Sequence, residues 1–128
     1  MENQTYSIAS LHSEIVEWKE LVLLVRDEIA IFEHQLGELL SSPQEMSVMQ
    51  FAQHFESQFI RHKEVSDELF HDLKIADHNL KVALEKNPDL ESVDGLNHFA
   101  LRDRAITYEK LFNELKSNYR HFLAAALS

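Results

Sequence analysis

From Ile8 to Leu39, apolar residues return at alternating spacings of three and four without a miss: Ile8, Leu11, Ile15, Trp18, Val22, Val25, Ile29, Phe32, Leu36 and Leu39. That repeat lines one face of an α-helix, whereas a strand would need a repeat of two. A helix of roughly 34 residues is about 50 Å long. In its middle, Leu21, Val22, Leu23, Leu24 and Val25 wrap most of the circumference. The expectation is that at least two neighbouring helices cover this girdle.

The stretch Ser41-Ser42-Pro43-Gln44-Glu45 ends the first element. Ser42 is placed to cap a second helix, Pro43 suits its first position, and Glu45 is spaced to reach back to the cap amide, as in a capping box. So short a connection sends the second helix antiparallel to the first. Between Gln44 and Asn87 neither Gly nor Pro occurs, and the apolar seam runs Val48, Ala52, Phe55, Phe59, His62, Ser66, Leu69, Leu73, Ala76, Leu80 and Ala83. His62 and Ser66 thus put polar groups at the centre of a seam. On the outer face, Asp77 with Lys81 and Lys81 with Glu85 stand at helical spacing for ion pairs.

Asn87-Pro88-Asp89 is the second break, with Asn87 as a candidate cap. The third helix starts there, or after Ser92 with Gly95 as a weak point. Its seam is Leu101, Ala105, Tyr108, Phe112, Leu115, Tyr119, Phe122 and Ala126, and extended backwards it lands on His98. The predicted architecture is all-α: one domain over 1–128, an antiparallel up-down-up bundle of three long helices at roughly 6–41, 44–86 and 92–126, with spectrin-like topology. Association of two chains is the route by which a larger bundle would be completed.

Composition narrows the picture further. Two glycines and two prolines in 128 residues leave little for loops. Cysteine is absent, which removes disulfides, thiolate metal sites and cysteine nucleophiles together. No apolar run approaches the ~18–20 residues of a membrane span. Met1-Glu2-Asn3-Gln4-Thr5-Tyr6 lacks the basic start and apolar core of a secretory signal. A cytoplasmic location is the expectation, with no membrane partner.

The formal charge is −10, which repels phosphate backbones, so no nucleic-acid partner is expected. The acidity is uneven. Residues 8–41 carry seven acids against two bases, and residues 87–128 carry six against five. A solvated face that aids solubility is the plain reading, and a basic partner for the first helix is the sharper one.

Eight histidines are the strongest candidates for chemistry: His12, His34, His54, His62, His71, His78, His98 and His121. Folding the hairpins at residues near 42 and 89 brings His12, His71, His78 and His98, the candidates for metal, toward one end of the bundle. His71 and His78 share a face opposite the Leu69/Leu73 stripe, pointing at water. Carboxylate-bridged metal bundles use two Glu-x-x-His pairs. Glu68-Leu69-Phe70-His71 is the single one here, and His-Glu-x-x-His is missing. The prediction is therefore no resident metal or cofactor. His62 and Ser66 read as a buried polar pair that fixes register or partner choice at some cost in stability, with a ligand-contacting or proton-transfer role for His62 as the alternative.

The aromatics Trp18, Phe32, Phe55, Phe59, Tyr108, Phe112, Tyr119 and Phe122 all fall on seams and read as core. No glycine-rich phosphate loop or nucleophile elbow is present. No catalytic residues are predicted.

Leu11-His12-Ser13-Glu14 through Trp18-Lys19-Glu20-Leu21, Asp27-Glu28-Ile29-Ala30-Ile31-Phe32, Gln50-Phe51-Ala52-Gln53-His54-Phe55 and Asp67-Glu68-Leu69-Phe70-His71-Asp72 resemble small uncharacterised helical proteins of Bacteroidetes bacteria. The resemblance covers the first two helices and implies an all-helical fold with no attached activity. The function expected is non-enzymatic, through protein–protein contact, as a homodimer or with another protein. The alternative is a bundle that binds metal or a small ligand through its histidines. An acidic decoy for nucleic-acid-binding proteins is a third, resting on charge alone.

Overall fold

The computed structural model describes residues 5–90, 92–94 and 96–128. Three helices account for most of them: α1 (Ile8–Leu40), α2 (Met46–Lys86) and α3 (Leu96–Leu127). Their order is up-down-up, and the ion pairs between helices fix it. Along α1, Lys19, Arg26 and Glu33 meet Asp77, Asp67 and Lys63, a descending series on α2, so these two helices are antiparallel. Glu14 and Glu28 meet Arg102 and Lys116, an ascending series, so α1 and α3 run parallel. Asp72 and Ser66 of α2 meet Arg104 and Tyr108 of α3, again antiparallel.

All ten seam residues of α1 are buried. On α2 the buried set is Ala52, Phe55, Phe59, His62, Ser66, Leu69 and Leu73, and the seam grows wetter at both ends, where Val48, Ala76, Leu80 and Ala83 are half-buried. From α3 come Leu101, Ala105, Tyr108, Phe112 and Tyr119, with Leu115 and Phe122 packed at the margin. One half of the core is aromatic. Phe59 stands 5.8 Å from Phe32, 6.4 Å from Phe55 and 5.1 Å from Tyr119, ring centre to ring centre. Tyr119 closes this cluster, its hydroxyl proton shared between the Phe32 carbonyl at 3.1 Å and Gln35 at 3.0 Å. Burial pushes the Tyr119 pKa up to about 12.

The connections depart from expectation. Residues 41–45 stay outside both helices, and Glu45, not Ser42, is the extended residue before α2, with no capping bond from its side chain. The capping box does not form. A cap at Ser42 would begin α2 before the chain had crossed the roughly 8–10 Å between helix axes. Gln44 instead donates to the Leu39 carbonyl at 3.0 Å, satisfying the end of α1.

Asn87 terminates α2 rather than starting a helix. Its carbonyl accepts from Leu90 at 3.0 Å and its side chain from the Asp89 amide at 3.3 Å, a turn with Pro88 inside it. Asp77 also departs from its expected partner: it turns to α1 instead of Lys81.

A second departure lies at the other ends. Thr5–Ser7 (β1) and Ser92–Asp94 (β2) are not first turns of helices but a short antiparallel ribbon, pairing Thr5 with Asp94, Tyr6 with Val93 and Ser7 with Ser92. Ser7 then caps α1, its hydroxyl accepting from the Ser10 amide at 3.1 Å. The expectations for Met1–Gln4 and for Gly95 lie outside the described residues.

Gly37 sits within α1 on an exposed position, and a Cβ built there meets no atom within 4 Å. Gly37→Ala is expected to stabilise the fold by about 0.5–1 kcal/mol, because alanine loses less backbone freedom in a helix. Chemical denaturation with an unchanged slope and a raised midpoint checks this.

Candidate functional site

Three regions concentrate the polar and exposed apolar groups. The first is the interior of the α2–α3 interface. His62 is 8% exposed and lies 4.8 Å from the Tyr108 ring, nearly stacked on it, with Phe112 at 5.5 Å. Its Nε2 is buried and has no hydrogen-bond partner among the described residues. Burial holds its pKa below the ordinary histidine value, so the ring is neutral at pH 7.

Ser66 does not bond the His62 ring, as a polar pair would. Its hydroxyl donates to the His62 backbone carbonyl at 2.8 Å and meets the Tyr108 hydroxyl at 2.6 Å. With the serine proton on the carbonyl, Tyr108 is the donor across the interface. The buried polar link between α2 and α3 is therefore Ser66–Tyr108, beside the more exposed Arg104–Asp72 pair. Burial pushes the Tyr108 pKa up. Tyr108 was legible as a core aromatic; its hydroxyl opposite a small polar residue was the overlooked cue. Outside this pair the interface opens into a groove of about 500 Å³ walled by Phe51, Val65, Leu111 and Leu115.

The second region is the end near residues 12, 77 and 98. His12 Nδ1 donates to Asp77 at 2.6 Å, and Lys19 donates to the other oxygen at 3.3 Å. Burial pushes the Asp77 carboxyl up, but the bonds and charges of His12 and Lys19 outweigh it and leave the pKa lowered. Buried His98 donates to Glu14 at 3.1 Å and stands 4.9 Å from the Trp18 ring centre. Arg102 reaches the same Glu14 oxygen at 2.7 Å. Glu14 behaves like Asp77: burial raises its pKa, and the two donors bring it below the ordinary carboxylate value.

His12 and His98 thus reach the same end but are engaged by different carboxylates, and His71 and His78 are exposed on α2. No group of three or more His, Asp or Glu converges as a metal site among the described residues. Beside His98, a pocket of about 440 Å³ opens between Leu11, Ile15, Ala76, Leu80 and Leu101.

The third region is the outer face of α1. The girdle is only half covered: Leu21 is partly buried and Val22 and Val25 are buried, but Leu23 is 47% and Leu24 58% exposed. Two neighbours in a three-helix bundle close over one side of a helix and leave the opposite side open. Val16, one turn-pair before Leu23, and Ile31, a heptad after Leu24, extend the open side, at 36% and 56% exposed. They form two apolar columns, Val16–Leu23 and Leu24–Ile31, with Glu20 and Asp27 between them at the same heptad spacing.

No helix among the described residues is long and apolar enough to cross a membrane. No family model matches the chain, and the searches of curated proteins and of solved structures returned no match.

Proposed function

We propose that this chain is a non-enzymatic interaction module that docks another protein on the outer face of α1. The observation that carries the reading is the pair of apolar columns, with Leu24 and Ile31 each more than half exposed on a helix whose inner seam is already filled. Scattered exposed leucines are ordinary. Four aliphatic side chains aligned along about 22 Å of one helix are the geometry by which helices recognise one another. Histidine-based binding has less support, since the four end histidines divide between two carboxylates and the solvent.

The reading is tested by placing the photoreactive residue benzoylphenylalanine at position 24 in the cells that make the chain. Leu24→benzoylphenylalanine is expected to give one crosslinked adduct of defined mass, lost when Ile31→Glu is added. The same label at exposed position 68 on α2 is expected to give none. The fold itself should survive, because surface substitutions of this kind stay within about 0.5 kcal/mol. Equal adducts at 24 and 68, or none at 24, would remove the docking face.

A further inference from the structure

We infer that the occupant of the α1 outer face is a basic amphipathic helix of another protein, a statement that rests on the docking face proposed above. The inference comes from how α1 disposes of its charges. Both of its bases are turned to α2: Lys19 bonds Asp77 and Arg26 pairs with Asp67 at 3.4 Å. Three of its seven acids are also neutralised within the bundle, Glu14 by Arg102 and His98, Glu28 by Lys116, and Glu33 by Lys63. Glu38 meets His34 one turn away. That leaves Glu17, Glu20 and Asp27, which are exposed and have no ion-pair partner among the described residues.

Glu20 and Asp27 stand between the apolar columns, and Glu17 continues the Leu24–Ile31 column toward the N-terminus of α1. The open face therefore offers aliphatic contact and unneutralised negative charge together; no lysine or arginine of α1 shares it, and His34, one heptad past Asp27, is engaged by Glu38. Electrostatic complementarity then selects the partner. A second copy of this chain would bring Glu20 and Asp27 against the same acids, a like-charge arrangement that opposes pairing. A helix that alternates leucine-type positions with lysine or arginine meets both features, its aliphatic side chains on the columns and its cations on the acids between them. The partner segment needs about four turns to span Val16 to Ile31.

The probe is a fluorescein-labelled helical peptide of about three heptads with leucine at the two seam positions. It is made in three versions whose other positions are lysine, glutamine or glutamate. Fluorescence anisotropy titration against the intact chain is expected to rank lysine over glutamine by about tenfold, with glutamate not bound. Glu20→Lys with Asp27→Lys should weaken the lysine peptide by about tenfold. Asp103→Lys with Glu114→Lys, an equal charge change on exposed positions of α3, should leave it within about threefold.

If both charge reversals weaken binding equally, the peptide is responding to net charge and the inference falls. If the three peptides bind alike and Leu24→Glu with Ile31→Glu abolishes all of them, the face stands and its basic partner falls. If neither apolar nor charge substitutions matter, both fall. Self-association of the chain by sedimentation, abolished by Leu24→Glu, would seat a second copy there and overturn the inference alone.

Discussion

Phe59→Ala is expected to destabilise the fold by about 3–5 kcal/mol, the range for emptying a fully buried aromatic site. Phe59 is fully buried, and its ring touches an aromatic neighbour on each helix: Phe32 on α1, Phe55 on its own helix and Tyr119 on α3. Its removal leaves a hole where all three helices meet, and the surrounding rings are too stiff to collapse into it. A domain has about 5–15 kcal/mol in total, so the variant should be near the edge of folding. For a chain of this size the melting midpoint should fall by roughly 10–20 °C. Phe59→Leu keeps most of the volume and should lose far less. A Phe59→Ala loss below about 1 kcal/mol would mean that the three helices do not share this contact.

His62→Leu works in the opposite direction. Leucine fills the seam position without the orphan Nε2, and a buried nitrogen left without a partner costs about 1–3 kcal/mol. Lost stacking on Tyr108 and Phe112 offsets part of the gain. The net expectation is stabilisation of about 1–2 kcal/mol at neutral pH.

The pH dependence supplies a sharper check. The folded chain holds His62 with a lowered pKa, while the unfolded chain leaves it near the ordinary value of 6.5. As the pH falls below 6.5, the unfolded state takes up a proton that the folded state refuses. The wild-type fold therefore loses stability down to the folded pKa, and above 6.5 this loss is absent. The advantage of His62→Leu should widen between neutral pH and pH 5 and be constant above pH 7. An advantage that narrows on acidification would show that the folded state stabilises the charged ring.

The bundle was largely legible from the chain because its information is periodic. The seam of α1 could be read residue by residue, and each of its ten positions is buried. His62 and Ser66 were legible as buried for the same reason. What could not be read was anything set by a partner across space. Ser66 bonds Tyr108 rather than the imidazole one turn away, since which side chains meet across an interface depends on the rotation of α3. The capping box at Ser42 is a sound local pattern, overruled by the distance the turn must cover. His12 and His98 were placed at the correct end, but spacing along a helix says nothing about which carboxylate each will find. The open face of α1 was visible as an over-wide girdle; that it stays open depends on how many helices surround it.

The ribbon joining Thr5–Ser7 to Ser92–Asp94 has a consequence for the birth of the molecule. A nascent chain leaves the ribosome from its first residue onward, at about 5–20 residues per second. The start of α1 must then wait, unlatched, until α2 and the following turn have emerged. Only when α3 begins does its pairing strand arrive. During those seconds the ribbon cannot close, so whatever pairing the first two helices achieve is achieved without it.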